Sequence, residues 1–278
     1  MESKPSAPPP QPQDETAVVQ ARGSFRVGDA TIELEVALPA GPTSARAILP
    51  MLRAFSGEVV AVAEHREAGQ GRQVSCRAGC GACCRQLVPL SMTESRQLPD
   101  LIDDLEPAHR DRVRARFDAA VLRLRQAGLL PRLERLGSLD RAARVALGLE
   151  YFALGIACPF LEDESCSIHR QRPLTCREYL VTSDPAHCSR PGEGQVVGVA
   201  IDASVLNALI RAEAPAPGAG RYLPLTLAPY LRPAAAEPLD TGPGWVRRVI
   251  KELSGADVGD VGDAATGLGA VGAAPVRT

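Results

Sequence analysis

Four cysteines lie within nine positions in the stretch CRAGCGACC, residues 76–84. The chain has only eight cysteines in 278 residues, and the other four follow much later. Within the stretch, Cys80-Gly-Ala-Cys83 is a CxxC sequence, a spacing that lets two sulfurs reach one soft metal. The later group of thiols consists of Cys158, Cys166, Cys176 and Cys188.

Three kinds of chemistry could account for these thiols. Disulfides are typical of exported proteins, and the start of the chain, MESKPSAPPPQPQDE, has no apolar stretch that resembles a secretory signal. Inert buried thiols explain one or two isolated cysteines better than four within nine residues. The pattern therefore favours ligation of zinc or an iron–sulfur cluster. The candidate ligands are Cys76, Cys80, Cys83, Cys84, Cys158, Cys166, Cys176 and Cys188.

The adjacent pair Cys83 and Cys84 leaves the number of metal centres open. Side chains of neighbouring residues diverge, so the pair could serve two centres or take different roles at one cluster. The same divergence is awkward for a single zinc ion, whereas ligation by thiolates alone is typical of iron–sulfur clusters. The sequence therefore favours iron slightly over zinc.

Charged side chains accompany the later group of thiols. The guanidinium groups of Arg170, Arg172 and Arg177 would lower thiol pKa values and stabilise an anionic thiolate site. His169 follows Cys166 closely and is a further candidate for such a supporting role. The alternative is that the arginines form ion pairs with nearby carboxylates. Those carboxylates belong to Glu162, Asp163, Glu164 and Glu178.

The rest of the chain predicts a mainly α fold with an N-terminal β-hairpin. Apolar residues alternate in VVQARGSFRV and TIELEVAL, and Gly28-Asp29 between them supplies a turn. Helical spacing from Thr43 to Ala68 predicts a helix that Pro50 and Gly57 kink or split. We expect a helical domain organised around a cysteine-rich metal-binding knot.

Helix signals continue between and after the cysteine groups. Ser91-Met-Thr-Glu94 is a capping-box pattern that predicts the start of a helix, broken near Pro99. Pro107 suits the first turn of the next helix. Further helices are predicted at roughly residues 139–154 and at 245–253, where Trp245 faces inward.

The cysteine pattern resembles that of the YkgJ-like cysteine-cluster proteins. The resemblance is carried by CRAGCGACCRQLVPLSMTE, CPFL and CSIHRQRPLTCREY, and it covers about residues 72–190. It implies a zinc- or iron-chelating domain with a CxxxCxxCC motif, in which His169 stands where a tyrosine is expected. These proteins are related to flagellin lysine N-methylases, which are associated with an iron–sulfur centre. A protein-lysine methylase is therefore an alternative, although no methyl-donor motif is recognisable.

The predicted domain organisation follows from these segments. Residues 1–15 form a disordered Pro-rich tail, 16–71 the hairpin and a helix, 72–190 the metal-binding domain, 191–253 an extension that packs on it, and 254–278 a disordered tail. A formal net charge of −2 gives no reason to expect nucleic acid, and the longest apolar run, residues 196–210, is too short to span a membrane. We expect a cytoplasmic protein, and a protein partner stays open. A zinc-stapled interaction module without catalysis is a further alternative.

Overall fold

The computed structural model describes residues 17–192, 195–214, 222–231 and 236–254. The disordered tails predicted at 1–15 and 254–278 lie outside these ranges, except for Ser254, which ends the last helix. Within the described residues the fold is mainly α-helical with an N-terminal β-hairpin, so the predicted fold class is confirmed. The α-helices are α1 (Leu49–Gly69), α2 (Met92–Asp103), α3 (Pro107–Gln126), α4 (Leu130–Leu133), α5 (Arg141–Ala153), α6 (Leu174–Glu178), α7 (Val205–Ala212) and α8 (Gly242–Ser254).

The strands form four separate antiparallel pairs in the described part of the chain. The N-terminal hairpin is the longest pair and has ten residues in each strand. The others have two or three residues and join segments that lie close in the fold. The pairs are β1 (Val18–Val27) with β2 (Ala30–Pro39), β3 (Pro42–Ser44) with β8 (Leu239–Thr241), β4 (Pro89–Leu90) with β7 (Leu223–Pro224), and β5 (Leu161–Glu162) with β6 (Ser165–Cys166).

The hairpin forms as its alternating pattern predicts. Phe25 pairs with Ile32, and Gly28 in the turn has a φ of 57°, a conformation that favours glycine. One face of the hairpin packs against α1, α7 and α8, where Ile32 and Leu38 are buried. This apolar cluster also contains Leu174 of α6, so the hairpin side of the molecule reaches the thiol-bearing region.

The first helix differs from its prediction. Pro42–Ser44 is strand β3, and α1 begins only at Leu49 after a 3₁₀ turn. Pro50 lies in the first turn of α1, where a missing N–H breaks no helical hydrogen bond. Gly57 lies inside α1, which is unbroken from Leu49 to Gly69. The prediction that Pro50 and Gly57 split this helix is therefore wrong.

Helix α2 begins at the predicted capping box but does not break at its proline. The side chain of Ser91 accepts a hydrogen bond from the Glu94 N–H, and the side chain of Glu94 accepts one from the Ser91 N–H. Pro99 lies inside the helix, between Leu98 and Ile102, which are both buried in one apolar cluster. Packing on both sides of Pro99 holds the helix together, so the predicted break is wrong.

A second apolar cluster supports the later cysteines. It joins α2 and α3 to Phe160 and Ile168, and Cys158 and Cys166 pack against it. The rings of Phe117 and Phe160 meet edge to face with their centres 5.5 Å apart. No helix among the described residues combines the length and the apolar character needed to cross a membrane.

Candidate metal centre

All eight cysteines are free thiols, and they lie on short or irregular elements. Residues 72–81, which carry Cys76 and Cys80, form neither helix nor strand. The 3₁₀ turn Ala82–Arg85 carries the adjacent pair, and the 3₁₀ turn Pro185–Ser189 carries Cys188. Cys166 ends β6, and Cys176 lies on α6.

The two cysteine-bearing segments contact each other directly. The N–H of Cys158 donates a hydrogen bond of 2.7 Å to the carbonyl of Cys84. Arg85 donates two hydrogen bonds, of 2.6 and 3.0 Å, to the carboxylate of Glu164. The N–H of Ser75 donates to the carbonyl of Val181 at 2.9 Å. Residues 75–85, which we call the early loop, are therefore attached to the later segment at three places.

Gly81 allows the early loop to approach the β5–β6 hairpin closely. A Cβ atom at this position would lie 2.8 Å from Cδ1 of Leu161 and 3.1 Å from the Cα of Glu164. Both distances are too short for ordinary packing, so a larger residue would push the early loop away from the β5–β6 hairpin. The glycine is needed because two backbones approach each other here.

The electrostatic interactions among the thiols divide into two sets that share Cys83. Cys188 interacts electrostatically with Cys76 and Cys80, and we call these three residues the first thiol set. Cys176 interacts with Cys158 and Cys166, and these three are the second thiol set. Cys83 interacts with members of both sets and is hydrogen-bonded to Cys84. Thiols from both parts of the sequence thus interact electrostatically with Cys83.

Burial keeps several of these thiols protonated. It raises the pKa of Cys158 to about 12 and that of Cys176 well above its ordinary value. The hydrogen bond with Cys84 and then burial raise the pKa of Cys83. The charged form of each thiol is disfavoured where no cation is close. A bound metal would therefore release protons as it takes thiolates as ligands.

Arg172 is the predicted arginine that faces the thiols. Its charge acts on Cys76, Cys83 and Cys166, and its buried Nε has no hydrogen-bond partner among the described residues. Such a cation favours thiolates. Arg177 interacts electrostatically with Cys176, and it also donates hydrogen bonds to the carbonyls of Arg170 and Arg172 before α6.

The alternative ion pairs of these arginines do not form in the described part of the chain. Glu164 pairs with Arg85. Glu162 lies within ion-pair distance of Arg112 and Arg116, and the carboxylate of Glu178 faces Ser204. Arg170 is exposed. That interpretation of the arginines is therefore wrong.

His169 lies outside the thiol sets. It is exposed on the 3₁₀ turn His169–Gln171. Partial burial and then the charges of Arg172 and Arg177 lower its pKa, and no thiol contributes to this shift. The geometry gives His169 no contact that supports metal ligation.

Three glutamates form a ring of helix caps that the sequence reasoning missed. Glu94 of α2 accepts a hydrogen bond of 2.8 Å from the N–H of Leu174, the first residue of α6. Glu178 at the end of α6 accepts from the N–H groups of Val205 and Leu206 at the start of α7. Carboxylates at helix N-termini are stabilising because they satisfy free N–H groups and match the helix dipole.

Glu213, just after α7, closes the ring. It accepts hydrogen bonds from the N–H groups of Met92 and Thr93 in the first turn of α2, at 2.5 and 3.1 Å. Burial raises its pKa to about 7. Each helix of the ring is thus capped by a carboxylate of another, which fixes α6 and Cys176 between α2 and α7. The capping box at Ser91 was the only part of this ring with a local sequence signal.

A histidine, a serine and a glutamate also meet beside Cys166. The Nε2 atom of His109 lies 3.1 Å from Oγ of Ser167 and 3.7 Å from Oε1 of Glu162. A nucleophile–base–acid triad needs the carboxylate on the other ring nitrogen. This group therefore links α3 to the β5–β6 hairpin and does not have the geometry of a hydrolytic site.

The thiols are neighbours without a closed ligand shell. Among the residues that the structure describes, no three Cys, His, Asp or Glu side chains are grouped as ligands for one ion. The donor chemistry nevertheless fits a soft metal or a cluster, because all eight thiols are free and the segments that carry them contact each other. The buried Nε of Arg172 also has no hydrogen-bond partner among the described residues.

A family comparison covers the whole of this arrangement. Residues 75–192 match the model of the CxxCxxCC family, which is described as "Putative zinc- or iron-chelating domain". Comparisons with curated proteins and with solved structures give no match. The matched segment contains all eight cysteines and supports metal chelation. The match over residues 75–192 confirms the resemblance to the cysteine-cluster family predicted from the sequence.

Proposed function

We propose that residues 75–192 chelate two metal centres, each held by four thiolates. The first thiol set supplies three ligands to one centre, and the second thiol set supplies three to the other. Cys83 and Cys84 each complete one set. The observation that supports this proposal is the hydrogen bond of 2.7 Å from the N–H of Cys158 to the carbonyl of Cys84, which joins the segment of the adjacent pair to that of the later thiols.

The division into two centres also explains the adjacent pair. Neighbouring side chains diverge, which is a disadvantage at one ion but an advantage where two centres lie side by side. Four thiolates suit both tetrahedral zinc and an iron–sulfur cluster. The charge of Arg172, whose Nε is buried, would offset part of the negative charge of either group. We retain iron–sulfur clusters and zinc as the two candidates, and a cytoplasmic location as part of the proposal.

Anaerobic purification of the full chain tests this proposal. We expect bound metal that requires reduced thiols. Visible absorbance with acid-labile sulfide would identify iron–sulfur clusters, and a colourless protein with bound zinc would identify zinc. His169→Ala is the matched control, because its side chain lies outside the sets, and it should keep its full metal content. A reduced chain that binds neither iron nor zinc would refute the proposal.

The alternatives from the sequence stay predictions. A protein-lysine methylase should transfer methyl groups from S-adenosylmethionine to surface proteins, which an assay with the metal-loaded chain would detect. A zinc-stapled interaction module should unfold on removal of its metal and show no redox change.

A further inference from the structure

The N-terminal hairpin has one long edge without a strand neighbour. Strand β1 has ten residues and pairs only with β2 in the part of the chain that the structure describes. Helices α1 and α8 contact the hairpin mainly through β2. Both ends of β1 are fixed, because the carbonyl of Ala17 accepts a hydrogen bond from the N–H of Ala40 and Gly28-Asp29 forms the turn. The outer edge of β1 is therefore held in an extended form.

The register of the hairpin shows which backbone groups of β1 face this edge. Val27 pairs with Ala30 across the turn, and Phe25 pairs with Ile32. Residues that flank a two-residue hairpin turn exchange hydrogen bonds, so every second residue of β1, counted back from Val27, bonds to β2. The N–H and carbonyl groups of the residues between them point away from β2. Those residues are Val18, Gln20, Arg22, Ser24 and Arg26.

The charged side chains on the solvent face of β1 are all positive. Arg22 and Arg26 are exposed, and Arg26 makes no ion pair with any residue that the structure describes. Arg22 donates a hydrogen bond of 2.7 Å to Glu35, which lies directly opposite on β2. Opposite charges on neighbouring strands stabilise a sheet, whereas like charges destabilise it. A further strand beside β1 should therefore carry acidic residues on this face, as β2 does.

The opposite face of β1 is apolar. Val19 and Phe25 are half-buried and pack against the apolar cluster under the hairpin, where the rings of Phe25 and Phe55 lie 5.5 Å apart. Side chains alternate between the two faces of a sheet, so a neighbouring strand would place every second residue on this apolar side. The expected partner therefore alternates acidic and apolar residues, in the way that Glu33 and Glu35 alternate with aliphatic residues in β2.

We propose that the outer edge of β1 is a docking site for an extended acidic segment of a partner protein, which adds to the hairpin as a third strand. Main-chain hydrogen bonds hold the segment, and Arg22 and Arg26 select its charge. The inference does not depend on the metal centres, because the hairpin lies outside residues 75–192. A second copy of β1 is a poorer partner, since antiparallel pairing about Ser24 places Arg22 of each chain opposite Arg26 of the other.

A capped, labelled peptide of the sequence ATIELEVALP, which copies β2, tests the edge. Fluorescence anisotropy measures its binding to the full chain, and NMR follows amide hydrogen exchange of the chain. We expect saturable binding that slows exchange of the N–H groups of Arg22, Ser24 and Arg26 at least about tenfold. The peptide ATIKLKVALP should bind about tenfold more weakly, because its lysines face the arginines. No saturable binding, or equal affinity of the two peptides, would overturn the proposal.

Proline substitution separates strand addition from charge attraction alone. Ser24→Pro removes an N–H that points to the open edge and breaks no hydrogen bond to β2, so the hairpin should still form while peptide binding weakens at least about tenfold. Ala37→Pro on β2 is the matched control, because it is exposed and its N–H points to the opposite edge of the hairpin. It should leave peptide binding unchanged. Equal binding to the Ser24→Pro and Ala37→Pro chains would contradict docking on the edge of β1.

Charge reversal on the chain keeps the test decisive if Ser24→Pro does not fold. Arg26→Glu leaves the backbone of β1 unchanged and should reverse the preference, so that ATIKLKVALP binds more tightly than ATIELEVALP. An unchanged preference would overturn the selection of charge at this edge.

Hydrogen exchange also identifies the other possible occupants. Slow exchange of the N–H groups of Arg22 and Ser24 in the free chain at low concentration would show that the edge is already covered. Slowing of the same groups as the free chain is concentrated would identify a second copy as the occupant. Slowing at Thr31 and Glu33 on addition of the peptide would place it on the edge of β2. Each of these three results would overturn the proposal.

Discussion

The loop that carries Cys76 and Cys80 and the helix that carries Cys176 are held in place by different interactions. Residues 72–81 form no regular structure and are attached by hydrogen bonds of Ser75, and the 3₁₀ turn that follows them adds a surface ion pair between Arg85 and Glu164. Helix α6 is short, but the buried carboxylate of Glu94 caps its start and Leu174 is fully buried. The protein fold therefore sets the position of α6, whereas the loop depends on its few contacts and on what it binds.

Removing the cap of α6 should have the largest effect. Glu94→Leu leaves the buried N–H groups of Ser91 and Leu174 without an acceptor, which should lower the unfolding free energy by about 3 kcal/mol or more. Urea denaturation measures this change. Glu94→Gln keeps one acceptor and should lose less. Glu58→Leu, at an exposed position of α1, is the control. Equal losses for Glu94→Leu and Glu58→Leu would contradict the role of the cap.

The loop is most sensitive at its closest contact. Gly81→Ala should lower the unfolding free energy by about 1–3 kcal/mol, because the new methyl group meets Leu161 and the backbone of Glu164. Gly148→Ala in α5 is the control, since a Cβ there meets nothing within 4 Å. Thermal denaturation of both variants makes the comparison. An unchanged melting temperature for Gly81→Ala would show that the loop does not need its close approach to β5–β6.

The ring of caps predicts a pH dependence that the loop does not share. The pKa of Glu213 is raised from its ordinary value near 4.5 to about 7, so between these pH values the folded chain holds a proton that the unfolded chain has lost. The unfolding free energy should therefore fall as pH rises through this window, by at most about 1.4 kcal/mol per pH unit for this group. Above pH 7 its contribution is constant.

Glu213→Gln should remove this part of the slope. The amide oxygen still accepts a hydrogen bond from the first turn of α2, but the side chain no longer titrates. Urea denaturation at a series of pH values measures the difference between the two chains. A difference that does not change between pH 4.5 and pH 7 would argue against a buried, titrating Glu213.

The ion pair between Arg85 and Glu164 should have the smallest effect. Both side chains are partly exposed, at 34% and 51%, so water and salt screen the pair. A double-mutant cycle with Arg85→Gln and Glu164→Gln should give a small coupling energy that disappears at high salt. A coupling as large as the effect of Glu94→Leu, or one independent of salt, would mean that the loop is held as firmly as α6.

The sequence predicted local features of this fold better than distant contacts. The hairpin and the capping box at Ser91 were predictable because their signals lie within a few residues. Pro50 and Pro99 misled the prediction, since the first turn of a helix tolerates proline and buried neighbours hold α2 together. The bond from Glu94 to Leu174 spans 80 residues, and no local pattern indicates it.

The candidate site likewise has parts that the sequence predicted and parts that it did not. The eight cysteines and Arg172 were identifiable from their spacing and from the family resemblance. Their division into two sets was not, because it depends on how the early loop folds onto the β5–β6 hairpin. No local pattern indicates the open groove that Cys80 and Ala186 line. The early loop, the β5–β6 turn and the turn around Cys188 meet only in the folded chain.

Metal content per chain in Cys83→Ser and Cys84→Ser tests the central claim most directly. If the adjacent pair completes two separate centres, each variant should lose about half of the metal bound by the unmodified chain. Iron, zinc and sulfide are measured on anaerobically purified protein, with His169→Ala at full content for comparison. Loss of all metal in either variant, or of none in both, would contradict two centres that meet at Cys83 and Cys84.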